Sequence, residues 1–387
     1  MRIDRPGIYV HIPFCLRKCP YCDFVSYPLE PGDAGGLQAY VDALVQEVSL
    51  RKDWLEAVEL MPEAFFSLYI GGGTPSLLEA NHIARILESV ISCFPLKTGA
   101  EITIEVNPGT SSLEELRTWR RLGVNRLSIG AQSFDDTFLA RLGRIHTARE
   151  VYQMVEWARR AGFINVSLDL MLGLPGQSLE NWQMTLTEAV GLRPRHLSCY
   201  ELTVEESTPY CALQAQGRLQ LPPEDEVIAM LQWTHQYLTD SGYQHYEISN
   251  YALPGYESRH NRIYWENRWY IGLGAAAFSY WDGRRWGNTA GLEEYIRKLA
   301  AGILPEAYSE RLDQKGQLGE TIMLGLRLRE GVSIPELEAR FGLSVWELWE
   351  EEITGLMETG LLELSQGRLR LTERGLLLAN QVQAAFL

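Results

Sequence analysis

Three cysteines stand within eight residues, Cys15-Leu16-Arg17-Lys18-Cys19-Pro20-Tyr21-Cys22. Structural cysteines are usually scattered in apolar surroundings, whereas these share a segment with Arg17, Lys18 and two prolines. Neighbouring cations favour the thiolate, which is the form that ligates metal. One reading is zinc, with His11 or a distant residue as fourth ligand. The other is a [4Fe–4S] cluster, which normally takes four cysteines, so three leave one iron open. The spacing favours the cluster, and His11 is equally open to a supporting role beside the ligands.

Further polar residues recur at regular intervals. Gly71-Gly72-Gly73-Thr74-Pro75 offers backbone N–H groups that a ligand can approach closely; alone, it is equally a tight strand-to-helix turn. Glu105 precedes Asn107-Pro108, Gln132 lies in Gly130-Ala131-Gln132-Ser133-Phe134, and Arg144 follows Gly143. Asp169 opens a run that ends Gly173-Leu174-Pro175-Gly176. Near the C-terminal third, His260-Asn261-Arg262-Ile263-Tyr264-Trp265 combines an imidazole that can ligate iron with flat apolar surface. Read by composition, that group is a core aromatic cluster with a satisfied histidine. Tyr246, Tyr251 and Tyr256 belong to the same aromatic segment. Cys93, Cys199 and Cys211 have no partner at metal spacing and read as packing residues.

These residues must be held by elements. Strand patterns over 7–14, 65–71, 101–107, 126–133, 165–172 and 196–203 alternate with helical patterns over 37–52, 80–93, 112–122, 148–161 and 179–190. The strand runs read as aliphatic on both faces, as in a parallel sheet covered by helices. Such α/β units join by right-handed crossovers and gather ligands at the C-terminal ends of their strands. The polar residues above fall there. Residues 1–204 read as this core and 205–290 as a barrel-completing, aromatic-rich segment. Residues 291–387 read as a small α+β unit, helices followed by a hairpin at Gln366-Gly367, like a winged helix. Residues 333–360 carry seven Glu and one Arg, the wrong sign for nucleic acid. The whole chain of 387 residues carries a formal net charge of −15, and its six cysteines are too few for a secreted disulfide scaffold. No apolar run reaches membrane-spanning length, and the N-terminus lacks a leader's apolar stretch. The expectation is a cytoplasmic protein with no integral membrane segment, peripheral membrane contact remaining open.

The CxxxCxxC spacing after the first strand resembles the radical S-adenosylmethionine (SAM) superfamily. The run Ile8 to Cys15, with Gly71–Pro75, Glu105–Pro108, Gly130–Phe134 and Asp169–Gly176, is similar to its oxygen-independent coproporphyrinogen III oxidase (HemN-like) family. The resemblance implies a partial (β/α)6 TIM-like barrel with a winged-helix-like cap. It implies Cys15, Cys19 and Cys22 as ligands of a [4Fe–4S] cluster. Around SAM it implies Tyr9, Gly72 and Glu105, then Tyr21, Gly73, Thr74, Gln132, Arg144 and Asp169 at positions of a second SAM in the dehydrogenase. Two departures point within the family. Phe24 stands where the dehydrogenase has a fourth cysteine, and only eight residues precede Tyr9. Both features, and the HNxxYW run at 260–265, are similar to the family's heme-chaperone branch, HemW. That branch implies heme as a further ligand, with His260, Tyr264 and Trp265 as its contacts and a heme-accepting protein as partner. The alternative is the dehydrogenase itself, an enzyme that decarboxylates coproporphyrinogen III.

Overall fold

The computed structural model describes residues 5–29 and 34–387. Residues 1–4, part of the N-terminal stretch read for a leader, lie outside them. Six strands run parallel in chain order: β1 (Gly7–Ile12), β2 (Phe65–Gly72), β3 (Leu96–Val106), β4 (Arg126–Gln132), β5 (Asn165–Leu172) and β6 (His196–Glu201). Each pairs with the next, and helices such as Ala34–Ala57, Ala80–Cys93 and Ala148–Arg160 return the chain between them. This is the α/β partial barrel that the sequence leads one to expect.

The strands are not aliphatic on both faces. Side chains alternate across a strand with period two, and here the alternation separates two chemistries. Ile8, Val10, Leu68, Ile70, Ile102, Ile104, Leu127, Ile129, Leu168 and Leu170 belong to the main apolar core. The intervening positions are Tyr9, Tyr69, Thr103, Glu105, Arg126, Ser128, Ser167, Asp169 and Ser198. Register aligns them, with Tyr9 beside Tyr69, Glu105 beside Ser128 and Asp169 beside Ser198. The barrel therefore has a polar lumen inside an aliphatic wall, and that layer is the scaffold of the site.

The sheet grows at both edges. Beyond β6 a short hairpin, β7 (Gln244–Glu247) and β8 (Asn250–Ala252), pairs antiparallel. On the other side β9 (Tyr270–Leu273) pairs parallel with β1, and β10 (Phe278–Trp281), β11 (Arg284–Asn288) and β12 (Glu306–Arg311) follow antiparallel. Strand β12 lies past residue 291, where the sequence places a third region, so the large sheet takes in that stretch. Helix Ala34–Ala57 is fixed to this edge by buried Glu47, which accepts from the Gly274 N–H (2.7 Å), the Tyr295 hydroxyl (2.6 Å) and the Asn288 amide (2.6 Å).

The C-terminal unit has its own core, including Leu318, Ile322, Val345, Ile353, Leu369 and Val382. Helices Gln314–Gly325, Ile334–Phe341 and Val345–Glu358 pack on a three-stranded sheet of β13 (Val332–Ser333), β14 (Leu362–Ser365) and β15 (Arg368–Leu371). After the hairpin the chain ends in two short helices, Glu373–Leu377 and Ala379–Ala384, separated where Leu378 leaves helical geometry. The unit docks on the barrel through a bridge between Glu247 and Leu328 and an Ile248 N–H to Arg327 carbonyl bond of 3.1 Å. Among the described residues no helix is long and apolar enough to cross a membrane.

Candidate functional site

The cysteine loop leaves the end of β1 and is closed at its base by pairing of Phe14 with Tyr27 and Cys15 with Pro28. His11, buried on β1, donates from Nε2 to the Val25 carbonyl (2.9 Å), which leaves Nδ1 to accept from the Tyr9 hydroxyl (2.8 Å). The ring thus ties the far side of the loop to the barrel, and burial lowers its pKa. Its part is to support the loop, one of the two roles open from sequence. Cys15, Cys19 and Cys22 are free thiols, each partly exposed. Among the described residues no three His, Cys, Asp or Glu side chains converge at single-ion spacing. A multi-iron cluster, whose ligands attach at different corners, does not need that convergence.

The thiols form one side of a cavity of about 420 Å³ at the C-terminal ends of the strands. Gly72, with φ of +116°, aims its N–H at the Glu105 carboxylate (3.0 Å). Gly73 has a different reason: a Cβ there would stand 2.6 Å from the Phe14 carbonyl oxygen. The glycine turn is pressed against the root of the cysteine loop. Thr74 donates to Cys15 Sγ (3.6 Å) and accepts from the Asn107 amide (2.8 Å), while Arg144 donates to Asn107 and to the Gly130 carbonyl (3.0 Å). Thr74, Asn107 and Arg144 thus form a polar chain running from a cysteine sulfur across the cavity wall. Arg144 Nε is buried without a partner, a donor that a bound anion or ribose could use. Gln132 closes β4 in the left-handed region at φ +62°, backbone strain of the kind that gathers at ligand sites.

Two carboxylates lie deeper. Burial, reinforced by the nearby Asp169 charge, raises the Glu105 pKa to about 7 against the pull of the Tyr69 hydroxyl (2.8 Å) and the Gly72 N–H. Asp169 is also raised by burial, although Ser198 (2.7 Å), Ser128 (3.0 Å) and Ser167 (3.3 Å) all donate to it. Burial opposes the charge on Arg126, but Glu101, Tyr69, Tyr246 and Asp169 hold its pKa above the usual value. Such a site suits a ligand bearing an ammonium and hydroxyls, and the thiol side suits a metal cluster. The residues present fit both groups.

Of the residues singled out from sequence, Cys15, Cys19, Cys22, Tyr21, Gly72, Gly73, Thr74, Glu105, Gln132, Arg144 and Asp169 all line this cavity. Tyr9 stands behind it, its ring 6.3 Å from that of Tyr69. The HNxxYW run does not face one cavity: Asn261 lines this one and Trp265 another. His260 is 1% exposed, its Nδ1 is 2.8 Å from the Ser67 hydroxyl and its Nε2 is 2.8 Å from the Tyr264 hydroxyl. Burial and Arg126 lower its pKa to about 3, and its ring stacks 5.1 Å from Tyr69. Both nitrogens are engaged, so the ring is not open to a metal as the fold stands. Trp265 lines a different cavity, under the Arg327 guanidinium. Tyr246 bonds His196, Tyr251 stacks on His245 and Tyr256 lies beneath Arg195. Sequence reasoning missed Asn107, Arg126, Asn261 and the three serines around Asp169. For Arg126 and the serines the signal was the period-two polar alternation within the strands; Asn107 follows a strand and Asn261 lies on a helix.

Comparison with known proteins agrees with this fold. The radical SAM superfamily matches over residues 9–189 and the HemN C-terminal domain over residues 312–378. The heme chaperone HemW of Lactococcus lactis subsp. lactis is 37% identical over 379 residues, covering 98% of this chain and 96% of that protein. The heme chaperone HemW of Bacillus subtilis is 36% identical, with 98% of each chain covered. Among solved structures, the radical SAM enzyme coproporphyrinogen III oxidase (HemN) from Escherichia coli superposes with a TM-score of 0.85. It is 25% identical, and the match covers 99% of this chain and 90% of that one.

Proposed function

The chain belongs to the radical SAM superfamily, in the family of the HemW relatives, and from that premise we propose that it is a heme chaperone. It would bind a [4Fe–4S] cluster, SAM and heme, and pass the heme to an acceptor protein. The observation that carries this reading is the end-to-end correspondence with relatives named for that activity, cap included. Phe24 supports it, because this exposed ring lines the cavity at the position where the dehydrogenase pattern has a fourth cysteine.

In this reading Cys15, Cys19 and Cys22 hold the cluster, Gly72 and Glu105, backed by Tyr9, hold the cluster-bound SAM, and Tyr21, Gly73 and Thr74 lie toward the second SAM position. Gln132, Arg144 and Asp169 face the remainder of the ligand space. When bound, the cluster offers an open iron and one-electron chemistry at the SAM sulfonium. The chain itself shields and orients. His11 fixes the loop, Thr74 donates to a cysteine sulfur, and Glu105 offers a carboxylate to an ammonium.

Anaerobic reconstitution followed by heme titration tests the proposal. The expected result is a saturable, shifted Soret band, loss of that band on adding an apo-acceptor, and no porphyrin product from coproporphyrinogen III with SAM and reductant. Decarboxylated product without a heme complex would favour the dehydrogenase.

A further inference from the structure

The barrel has a second opening, at the N-terminal ends of its strands. Two cavities of about 710 and 490 Å³ lie there, the larger between the barrel floor and the cap and the smaller against the floor alone, and share Arg5, Arg262, Glu266 and Arg268 in their walls. Together they are lined by seven basic side chains and three acidic ones. In a chain with a net charge of −15, that local reversal requires an explanation.

Part of the basic charge is internally matched: Arg262 pairs with Glu266 (3.0 Å) and with Glu330, and Arg268 pairs with Glu266. Four other cations are held differently. Arg340 donates to the Glu266 and Asn267 carbonyls (3.3 and 2.8 Å), Arg368 to the Glu330 and Gly331 carbonyls (both 2.8 Å), and Arg259 to the Gly99 carbonyl (2.9 Å). Lys97 lies 4.4 Å over the Phe66 ring. Backbone carbonyls and a ring orient these groups without cancelling their charge. Beside them, Trp265, Leu328, Val332 and Leu337 give the larger cavity an apolar wall.

We propose that this floor cleft binds a tetrapyrrole, its cations taking the carboxylate arms and the apolar wall taking the ring. The inference rests on the heme-chaperone reading and gives the heme a location away from His260. Oriented cations next to an apolar wall suit a flat apolar body with two carboxylates, which a small phosphate does not match. Among the described residues no His, Cys, Met or Tyr lines either cavity. Recognition here is therefore by carboxylate and shape, and the iron is not required.

The test compares heme, metal-free protoporphyrin IX and its dimethyl ester on the full chain, alongside the Lys97→Glu/Arg259→Glu double variant and Arg368→Glu. Lys97 and Arg259 are exposed, so reversing them leaves the core intact; melting temperature and cluster content verify this. The free acid is expected to bind as well as heme, and the ester and the charge-reversal variants to bind about tenfold more weakly or worse. An ester that binds like the acid, or variants that bind heme like the parent, would overturn the cleft and leave the chaperone reading standing. Failure of the parent chain to bind either heme or protoporphyrin would remove both.

Discussion

Glu105 carries its titration in a closed setting of Tyr69, Gly72, Asp169 and Arg126. Its folded pKa of about 7 lies above the ordinary 4.5, so the folded chain holds a proton that the unfolded chain releases. That contribution to stability is complete below pH 4.5 and is lost as pH rises through 7, on the order of 3 kcal/mol for the ligand-free protein. Urea unfolding at pH 5 and pH 8 should show the fall, and Glu105→Gln should flatten it. Asp169 shifts in the same direction, so a residual slope is expected in that variant. His260 makes a different prediction. With both nitrogens bonded and its ring stacked on Tyr69, His260→Ala should cost about 2–3 kcal/mol in unfolding free energy. The Soret spectrum of the heme complex should stay unchanged; a changed axial signature would restore His260 as an iron ligand.

At the scale of elements, the sheet's outer edge depends on one carboxylate. Glu47 joins helix Ala34–Ala57 to the loop after β9, to β11 and to Tyr295. Glu47→Ala leaves the Gly274 N–H and the Tyr295 hydroxyl unpaired and takes one of two bonds from the Asn288 amide, and at about 1–3 kcal/mol for each orphaned donor it should lower the unfolding free energy by several kcal/mol. A loss below about 1 kcal/mol in denaturant titration would mean that water replaces the carboxylate. This joint was not legible in sequence, where Glu47 looks like any polar position on a helix. The six parallel strands were legible because each carries an aliphatic stripe, and Asn165–Leu172 and the helix Ala80–Cys93 are found at their expected bounds. The polar stripe was hidden by that aliphatic one. Arg126, Ser128 and Ser198 look unremarkable singly and become a lumen only once register sets them side by side. The cavity residues were legible for another reason: all but Asp169, which lies inside its strand, end or follow a strand, and strand ends converge. The HNxxYW run lies on a seven-residue helix, where Trp265 turns away from His260, so adjacency in sequence does not make one surface there.

For the whole molecule, charge distribution matters more than its sum. The cap resembles a winged helix in outline, yet the two helices over 333–360 carry seven Glu and one Arg. Duplex DNA should therefore show no mobility shift with the protein even at about 50 mM salt, where phosphate contacts are strongest; salt-sensitive binding would contradict this. The acidic cap helices and the basic floor cleft stand side by side, since helix Ile334–Phe341 supplies Glu336 and Arg340 to the cleft wall. The packing of Gly73 against Phe14 also bears on the order of synthesis. Gly73 lies 51 residues beyond Cys22, with helix Ala34–Ala57 between them. At ribosomal rates of about 5–20 residues per second, the three thiols exist for roughly 3–10 s before the wall that shelters them has been made. The first β-α-β crossover supplies only the nearest wall, and Arg144 and Asp169 follow later, so the pocket is finished well after its thiols are made. A nascent chain arrested before that crossover would present bare, oxidisable sulfurs.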